Sequence, residues 1–338
     1  MTDARPPLWR RIRNALARLF RPKPPEPGRF VSGSTFAWKG WLASAPWTRP
    51  SREYLLYIPM GYTRWKRRPM IVLLHGCRQT PEDIAAATRI AALADKNGWL
   101  VLLPRQTNKA NAWGCWNWFD RGTTAGWGEA AIVAAQVRAV RRQYRAHPRR
   151  IFVAGMSAGG ALAAVLGVRY RRLFAGVMTH SGLACGAASS GAADMAVLTH
   201  GADTDYEKLA SDARDGAPAN ALPIALFAIH GERDNIVAMI NTVQLVRQYL
   251  VLNGQITAGA HSPTTLPSPA SETVLPLADG RTMIVAEYRD AERLLVRLVR
   301  IPDLGHAWSG GDPQFPYNDP RPPDATALLG EFVNAQIA

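Results

Sequence analysis

The sequence predicts an α/β fold in which a mostly parallel central sheet is covered by helices on both faces. Short, almost wholly apolar segments alternate along the chain with longer amphipathic segments, a pattern typical of buried strands and the helices that cover them. The 338 residues suit one large domain of this class or two small ones. Hydrophobic residues make up 47% of the chain, enough for a folded core. No apolar run approaches the ~20 residues of a membrane-spanning helix.

The predicted elements follow one another in strand–helix order. The apolar strands are expected at residues 53–58, 70–74, 100–104, 150–154, 174–180, 224–230 and 294–301. The helices, recognised by their amphipathic period, are expected at residues 81–97, 129–144, 159–170, 236–253 and 325–336. Residues 254–285 are rich in Thr, Ser, Pro and Ala, and we expect an irregular excursion there.

The first 25 residues differ from the rest in charge, with seven basic residues against one acidic residue. Residues 22–27 (PKPPEP) form a proline-rich segment that predicts an extended linker. The sequence therefore predicts a basic extension with its linker over residues 1–28 and a folded domain over residues 29–338.

Residues 8–21 predict a basic amphipathic helix. At 100° per residue, Leu8, Ile12, Leu16 and Leu19 share one face, and five arginines occupy the opposite side. Such helices bind anionic membrane or granule surfaces; a helix packed on the domain or a disordered tail is the alternative. The net charge of +14 otherwise indicates a solvated surface. No nucleic-acid partner is expected, because the sequence has neither zinc-finger spacing nor an RNA-binding signature.

Ser157 is the candidate nucleophile. Residues 155–159 (GMSAG) fit the pattern G-x-S-x-G, with an apolar strand before them and a helix of small residues after them. This is the strand–turn–helix setting of a nucleophile elbow. The glycines at 155, 159 and 160 leave space for so tight a turn. A glycine-rich turn that only packs strand against helix is the alternative.

A serine hydroxyl needs a general base, and in such an arrangement an acid and then a histidine follow it in the chain. Asp234 comes just after the predicted strand 224–230, and His306 lies in a glycine-flanked loop after the last strand. Parallel strands would bring these groups to one sheet edge. Glu232 remains the alternative acid and His180 the alternative base. His75 and His230 are expected to have structural roles.

An acyl-transfer site also needs hydrogen-bond donors for the oxyanion. We expect the backbone amide of Ala158, directly after the candidate nucleophile, to be one donor. The second is expected in the loop after the strand at residues 70–74, where the amide of Cys77 is the best candidate. No C-x-x-C pair or Cys/His cluster indicates a metal.

The chain has three cysteines, at positions 77, 115 and 185. Such a count allows one disulfide with a free thiol or three reduced thiols. Cys77 and Cys115 follow successive predicted strands, so we expect them to lie close together and to be able to form a disulfide in an oxidising compartment. Cys185 is expected to remain free.

Five motifs occur in order: LLHGCRQT (73–80), CWNWF (115–119), GMSAGG (155–160), HGERD (230–234) and GHAWSGG (305–311). Together they resemble the esterase/poly(3-hydroxybutyrate) depolymerase family of α/β-hydrolases, over roughly residues 31–332. The resemblance implies an α/β-hydrolase fold, Ser157 as nucleophile, Asp234 as orienting acid, His306 as base and Cys77 in the oxyanion hole. The chemistry requires neither a metal nor a cofactor.

The resemblance also implies a substrate and a location. We expect a serine esterase acting on a short-chain polyhydroxyalkanoate or its oligomers. A carbohydrate-ester hydrolase of the acetylxylan or feruloyl type is the alternative, and a surface-binding protein without catalysis is the alternative from another class. The resemblance favours an extracellular enzyme; the absence of a visible signal peptide favours a cytoplasmic or granule-associated one.

Three tryptophans are candidates for substrate contact. Trp116 and Trp118 belong to the aromatic loop after the strand at residues 100–104, and Trp308 follows His306 by two residues. Their positions place them near the expected catalytic edge, where they would line an apolar acyl groove. Packing in the core or within the loop is the alternative for rings at this density.

Overall fold

The computed structural model describes residues 26–37, 51–189, 195–217, 221–260, 262 and 264–337. The strands in these ranges are β1 (Arg29–Phe36), β2 (Ser51–Ile58), β3 (Arg68–Leu74), β4 (Leu100–Pro104), β5 (Ala146–Met156), β6 (Gly176–His180), β7 (Ala225–Gly231), β8 (Ser271–Pro276), β9 (Thr282–Asp290), β10 (Arg293–Ile301), β11 (Trp308–Ser309) and β12 (Asn318–Asp319). The helices are α1 (Pro81–Ala87), α2 (Ile90–Asn97), α3 (Arg121–Thr124), α4 (Gly128–Gln143), α5 (Ala158–Arg169), α6 (Met195–His200), α7 (Tyr206–Asp215), α8 (Met239–Leu252) and α9 (Ala325–Ile337).

Within the described ranges, ten strands form one sheet in the order β1-β2-β4-β3-β5-β6-β7-β10-β9-β8. The six central strands, from β4 to β10, run parallel. Antiparallel pairs flank them, β1 and β2 at one end and β9 and β8 at the other. The carboxyl ends of β3, β5, β7 and β10 therefore lie along the same edge of the sheet.

Side chains of the central strands alternate between the two faces, as the two-residue period of a strand requires. In β5, Ile151 and Val153 join one buried apolar cluster, to which α4, α5 and α8 contribute. Phe152 and Ala154 join a second cluster on the opposite face, with α1, α2 and α9. The predicted class, a largely parallel sheet covered on both faces, is confirmed.

The sequence predicts one helix over residues 81–97, but the structure has two helices there, α1 and α2. The hydroxyl oxygen of Thr80 caps α1 by accepting a hydrogen bond from the amide of Asp83, and Pro81 starts the helix; both features are common at a helix N-terminus. Arg89 then adopts φ 52°, and this left-handed residue ends the helical path before α2 begins. No residue at this point in the sequence signals the break.

The region over residues 254–285 is not the irregular excursion that its composition indicates. It contains β8 and the start of β9, which form an antiparallel hairpin at the edge of the sheet. All six residues of β8 are exposed, so the strand lacks the apolar pattern that marks the central strands. The strand β1 and the helices α6 and α7 are also absent from the sequence-based prediction.

Two further sequence-based expectations concern membranes. The candidate amphipathic helix at residues 8–21 lies outside the described residues. Where the structure is described, none of the helices combines the length and apolar character that crossing a membrane requires.

Candidate active site

Ser157 occupies a sharp turn between β5 and α5. Its backbone has φ 55° and ψ −123°, a combination that is strained for a residue with a side chain. Two constraints hold it there: the amide of Ser157 donates to the carbonyl of His180 at 2.9 Å, and the neighbouring backbone is closely packed. A Cβ at Gly159 would collide with the carbonyl oxygens of Leu74 and His75. The turn therefore has the geometry of the predicted elbow.

Asp234 and His306 form a hydrogen-bonded pair at the same edge. Nδ1 of His306 lies 2.7 Å from Oδ2 of Asp234. The other carboxylate oxygen accepts the amides of Ile236 at 3.0 Å and Val237 at 2.8 Å. Burial alone would raise the pKa of Asp234, but the hydrogen bond and charge of His306 and the amide of Val237 outweigh it and lower the pKa to about 2. The carboxylate thus stays ionised and fixes the orientation of the imidazole.

A cavity of about 510 Å³ joins the predicted catalytic residues. Ser157, His306, Cys77 and Ala158 all line it, together with apolar side chains. Ala158 is the first residue of α5, so its amide has no acceptor within the helix. Cys77 follows the end of β3. The structure thus brings the predicted nucleophile, base and oxyanion donors to one cavity, with the acid behind the base.

The alternative acid, Glu232, has a different partner. The carboxylate of Glu232 lies 3.1 Å from the guanidinium of Arg300, whereas the carboxylate of Asp234 is hydrogen-bonded to His306. Of the two candidate acids, only Asp234 is paired with the histidine in the described structure.

The alternative base, His180, is fully buried and stacks on Trp308, with ring centroids 5.4 Å apart. Burial, with smaller effects of His230 and His306, lowers the pKa of His180 to about 3. Its ring is therefore neutral and, unlike that of His306, is not among the described walls of the cavity.

His75 and His230 take the structural positions that the sequence indicates. Nε2 of His75 accepts the amide of Gln106 at 3.2 Å, and burial lowers the pKa of His75 to about 4. Nδ1 of His230 lies 2.7 Å from the hydroxyl of Thr242 and Nε2 lies 2.8 Å from the carbonyl of Val237. His230 thereby supports the loop that carries Asp234.

Cys77 and Cys115 form a disulfide, with their Cα atoms 4.1 Å apart, and their predicted proximity is confirmed. The bond joins the loop after β3 to the loop after β4, so it ties the candidate oxyanion residue to the aromatic segment. Cys185 is free and buried, as predicted, and burial raises the pKa of its thiol to about 12.

The prediction that three tryptophans line an acyl groove needs correction. Trp118 does line the cavity. Trp116 is 1% exposed and donates from Nε1 to the carbonyl of His75 at 3.0 Å. Trp308 is equally buried and donates to the hydroxyl of Thr326 at 3.1 Å. Both indole N–H groups are used inside the protein, and both rings support the loops of the site from behind.

The sequence-based prediction missed Glu129, which holds the aromatic loop. Its buried carboxylate accepts the side-chain amide of Gln106 and both the backbone amide, at 2.7 Å, and the side-chain amide, at 2.9 Å, of Asn117. Burial raises the pKa of Glu129 although these hydrogen bonds oppose the shift. As an isolated glutamate at a helix start, it carries no sequence signal of this role.

Several cavity residues were missed as well. Arg78, Asn111, Leu198, Ile236 and Tyr317 line the cavity in addition to the predicted groups. The ring of Tyr317 lies edge-on to His306, with centroids 6.0 Å apart. In the part of the chain that the structure describes, no group of three or more His, Cys, Asp or Glu residues has the arrangement of a metal site.

Comparison with curated proteins connects the chain to ester hydrolases. Poly(3-hydroxyalkanoate) depolymerase C of Paucimonas lemoignei is 30% identical over 200 residues, which are 59% of this chain and 48% of the relative. Feruloyl esterase B of Neurospora crassa is 32% identical over 125 residues, which are 36% and 42% of the two chains. The chain thus spans about half the length of these relatives.

Solved structures establish the fold. An acetyl xylan esterase from Aspergillus awamori superposes with a TM-score of 0.63 at 18% identity, over 82% of this chain and 94% of its own. The fluorophosphonate-binding serine hydrolase F of Staphylococcus aureus gives 0.52 at 12% identity, over 93% and 100%. These likenesses confirm the predicted α/β-hydrolase fold.

The sequence profile of a family described as Esterase PHB depolymerase matches residues 52–265, more than half of the chain. This segment contains the elbow, the disulfide loops and Asp234. The chain therefore belongs to the esterase/PHB depolymerase family.

Proposed function

We propose that this protein is a serine hydrolase of carboxylic esters that works through an acyl-enzyme. One observation carries the proposal: the strained Ser157 and the base of the hydrogen-bonded His306–Asp234 pair line the same cavity as Cys77 and Ala158, whose amides are the candidate oxyanion donors. A nucleophile, an oriented base and oxyanion donors are the components that ester hydrolysis of this type requires.

The mechanism follows from these groups. His306 removes the proton of Ser157 while Oγ attacks the ester carbonyl, and the amides of Cys77 and Ala158 bind the oxyanion. Asp234 keeps the imidazole in one tautomer and stabilises the imidazolium. The alcohol leaves with the proton from His306. Water, activated by His306, then attacks the acyl-enzyme and releases the acid and free Ser157.

For the substrate, we propose short-chain polyhydroxyalkanoates or their oligomers. The depolymerase names of two relatives support this choice, and so do the apolar side chains of Trp118, Phe119 and Leu183 along the cavity. Esters of carbohydrates are the second candidate, since other relatives are named acetylxylan and feruloyl esterases.

Hydrolysis of p-nitrophenyl butyrate tests the chemistry. Wild type should release p-nitrophenol and Ser157→Ala should not; equal rates would refute the mechanism. Initial rates on 3-hydroxybutyrate oligomers, acetylated xylan and feruloylated sugars then decide between the two substrate classes. A protein that hydrolyses none of these esters but binds the polymer would support the surface-binding alternative.

We also propose that residues 8–21 hold the enzyme at an anionic membrane or granule surface. The described chain begins at Glu26, whose carbonyl accepts the amide of Gly61 at 3.0 Å. A truncated protein that starts at Glu26 keeps this contact. It should retain activity on p-nitrophenyl butyrate and lose sedimentation with anionic vesicles, as the full chain should at high salt. Unchanged sedimentation would refute the proposal.

For location, we propose an oxidising extracellular compartment. The disulfide between Cys77 and Cys115 supports this choice, because such bonds persist outside the reducing cytoplasm. Fractionation of the native host with an antibody to the protein tests it, and recovery in the cytoplasm or on intracellular granules would favour the alternative.

A further inference from the structure

The cavity at the candidate active site has an uneven distribution of charge. Apart from His306, its described walls are apolar or neutral except for one side chain, the guanidinium of Arg78. The carboxylate of Asp234 is turned to His306 and to the amides of its own loop. A substrate in the cavity therefore meets one permanent charge, and it is positive.

Arg78 is held in place by its neighbours. It follows Cys77 directly, has φ 60° and donates its backbone amide to the carbonyl of Trp113 at 2.9 Å. Its guanidinium carbon lies 4.4 Å from the centre of the Trp113 ring, within the range of a cation–π contact. The disulfide from Cys77 to Cys115 ties the same two loops. The side chain is thus preorganised at the rim of the cavity.

The hydrogen-bond donors of this guanidinium are available to a ligand. Arg233 and Arg300, which lie near the same sheet edge, pair with Asp303 at 2.8 Å and Glu232 at 3.1 Å. For Arg78, by contrast, no carboxylate of the described residues lies within ion-pair distance. A planar guanidinium stacked on an aromatic ring is well suited to bind a carboxylate through two hydrogen bonds.

We propose that Arg78 binds a free carboxylate of the substrate, so that the preferred substrates are short hydroxy-acid oligomers with an ionised end. This inference rests on the proposed function and narrows it. Each turnover consumes one water, breaks the ester bond nearest the bound end and yields one hydroxyl and one new carboxylate. Neutral sugar esters offer Arg78 no such group, and a long polyester offers only its chain ends.

A pair of substrates that differ only in charge tests the subsite. The pair is the 3-hydroxybutyrate dimer as the free acid and as its methyl ester, with kcat/KM measured at pH 7. The neutral variant is Arg78→Asn, because asparagine tolerates the positive φ at this position. This variant should lower the ratio of kcat/KM for the free acid to kcat/KM for the methyl ester about 3- to 5-fold, the scale of an exposed ion pair. The change should come mainly from a higher KM for the free acid.

Two further variants and one condition separate charge recognition from general effects. Arg78→Lys should retain part of the ratio, since it keeps the charge without the planar fork. Lys109→Gln removes an exposed charge from the neighbouring loop, outside the described walls of the cavity, and should leave the ratio unchanged. Raising the salt concentration should lower the ratio of wild type and leave that of Arg78→Asn nearly constant.

The outcomes keep the two proposals apart. If wild type hydrolyses both dimers and Arg78→Asn leaves their ratio unchanged, the carboxylate subsite is wrong while the ester hydrolase stands. If wild type hydrolyses neither these dimers nor p-nitrophenyl butyrate, the proposed function itself fails. If Arg78→Asn and Lys109→Gln lowered the ratio of the two kcat/KM values equally, the subsite would also be wrong, because the effect would then reflect overall charge alone.

Discussion

The backbone amide of Ser309 lies 3.4 Å from Nε2 of His180, and this contact connects the two sides of the candidate active site. The carbonyl of His180 accepts the amide of Ser157, and Ser309 follows His306 by three residues. Because the pKa of His180 is lowered to about 3, its neutral ring accepts the hydrogen bond from Ser309. His180 is therefore a positioning residue between the loops that carry Ser157 and His306.

His306→Ala should lower kcat by about 10³-fold or more, as loss of a triad base does, with Asp234→Asn on the same scale because the imidazole loses its orientation.

His180→Ala should lower kcat far less and instead reduce the free energy of unfolding by about 2 kcal/mol, since a buried ring is lost from its place against Trp308. Steady-state kinetics on p-nitrophenyl butyrate and urea unfolding measure the two effects. Turnover that survives in His306→Ala and disappears in His180→Ala would reverse the assignment of the base.

The double variant Cys77→Ser/Cys115→Ser should unfold about 3 kcal/mol more easily than wild type, because the disulfide closes a 38-residue separation in the unfolded chain. It should also lose part of kcat, since the amide of residue 77 is no longer tied to the aromatic loop. Thermal unfolding and p-nitrophenyl butyrate kinetics, each with and without dithiothreitol, make the measurement. Cys185→Ala is the control, and its response to dithiothreitol should match that of wild type. An unfolding midpoint that reductant leaves unchanged in wild type would contradict the prediction.

Glu129→Ala should lower the free energy of unfolding by about 3 kcal/mol or more. It leaves the amide donors of the buried Gln106 and the half-buried Asn117 without the carboxylate that they share. Urea unfolding at pH 7 measures the change. Glu53→Ala removes an exposed carboxylate 3.6 Å from Arg105, and this control should change the free energy by less than about 1 kcal/mol. Equal effects of the two substitutions would show that the buried network has no special importance.

Stability should fall as the pH drops from about 6.5 to about 3. The pKa values of His75 and His180 are lowered from 6.5 to about 4 and about 3 in the folded protein, so the unfolded chain binds protons first. Asp234, with its pKa lowered from 3.8 to about 2, adds stability above pH 3.8 that is lost as the pH falls toward 2. Urea unfolding across this range measures the slope.

A matched pair of variants shows whether a buried histidine causes this pH dependence of the free energy of unfolding. His180→Gln should flatten the loss of stability between pH 6.5 and 3, because it removes one group that takes up a proton only on unfolding. His200→Gln, at an exposed position, should leave the slope as in wild type. A slope that His180→Gln leaves as in wild type would contradict the burial of a neutral His180.

The sequence predicts the centre of this molecule better than its edges. Each central strand, such as β4 with all five residues buried, is apolar because it is covered on both faces, and that composition is visible without a structure. The strand β8 is exposed at every residue and owes its conformation to pairing with β9, so its composition gives no such sign. The order of Ser157, Asp234 and His306 was likewise readable, because each follows a recognisable strand.

The positions of Trp116 and Trp118 illustrate why the rest could not be predicted. The two rings are separated by one residue, yet Trp116 is buried against His75 and Trp118 lines the cavity. In an irregular loop no period relates sequence to side-chain direction. Here the path of the loop is set by contacts from distant residues, the bond to Cys77 and the carboxylate of Glu129.

The left-handed backbone of Ser157 implies a conflict between stability and activity at this one position. A residue with a Cβ atom at φ 55° lowers the free energy of unfolding by about 1 kcal/mol relative to glycine at the same position. Ser157→Gly would therefore give a more stable but inactive protein. A population selected for folding alone would drift toward that variant, and only selection for turnover keeps a serine in the turn.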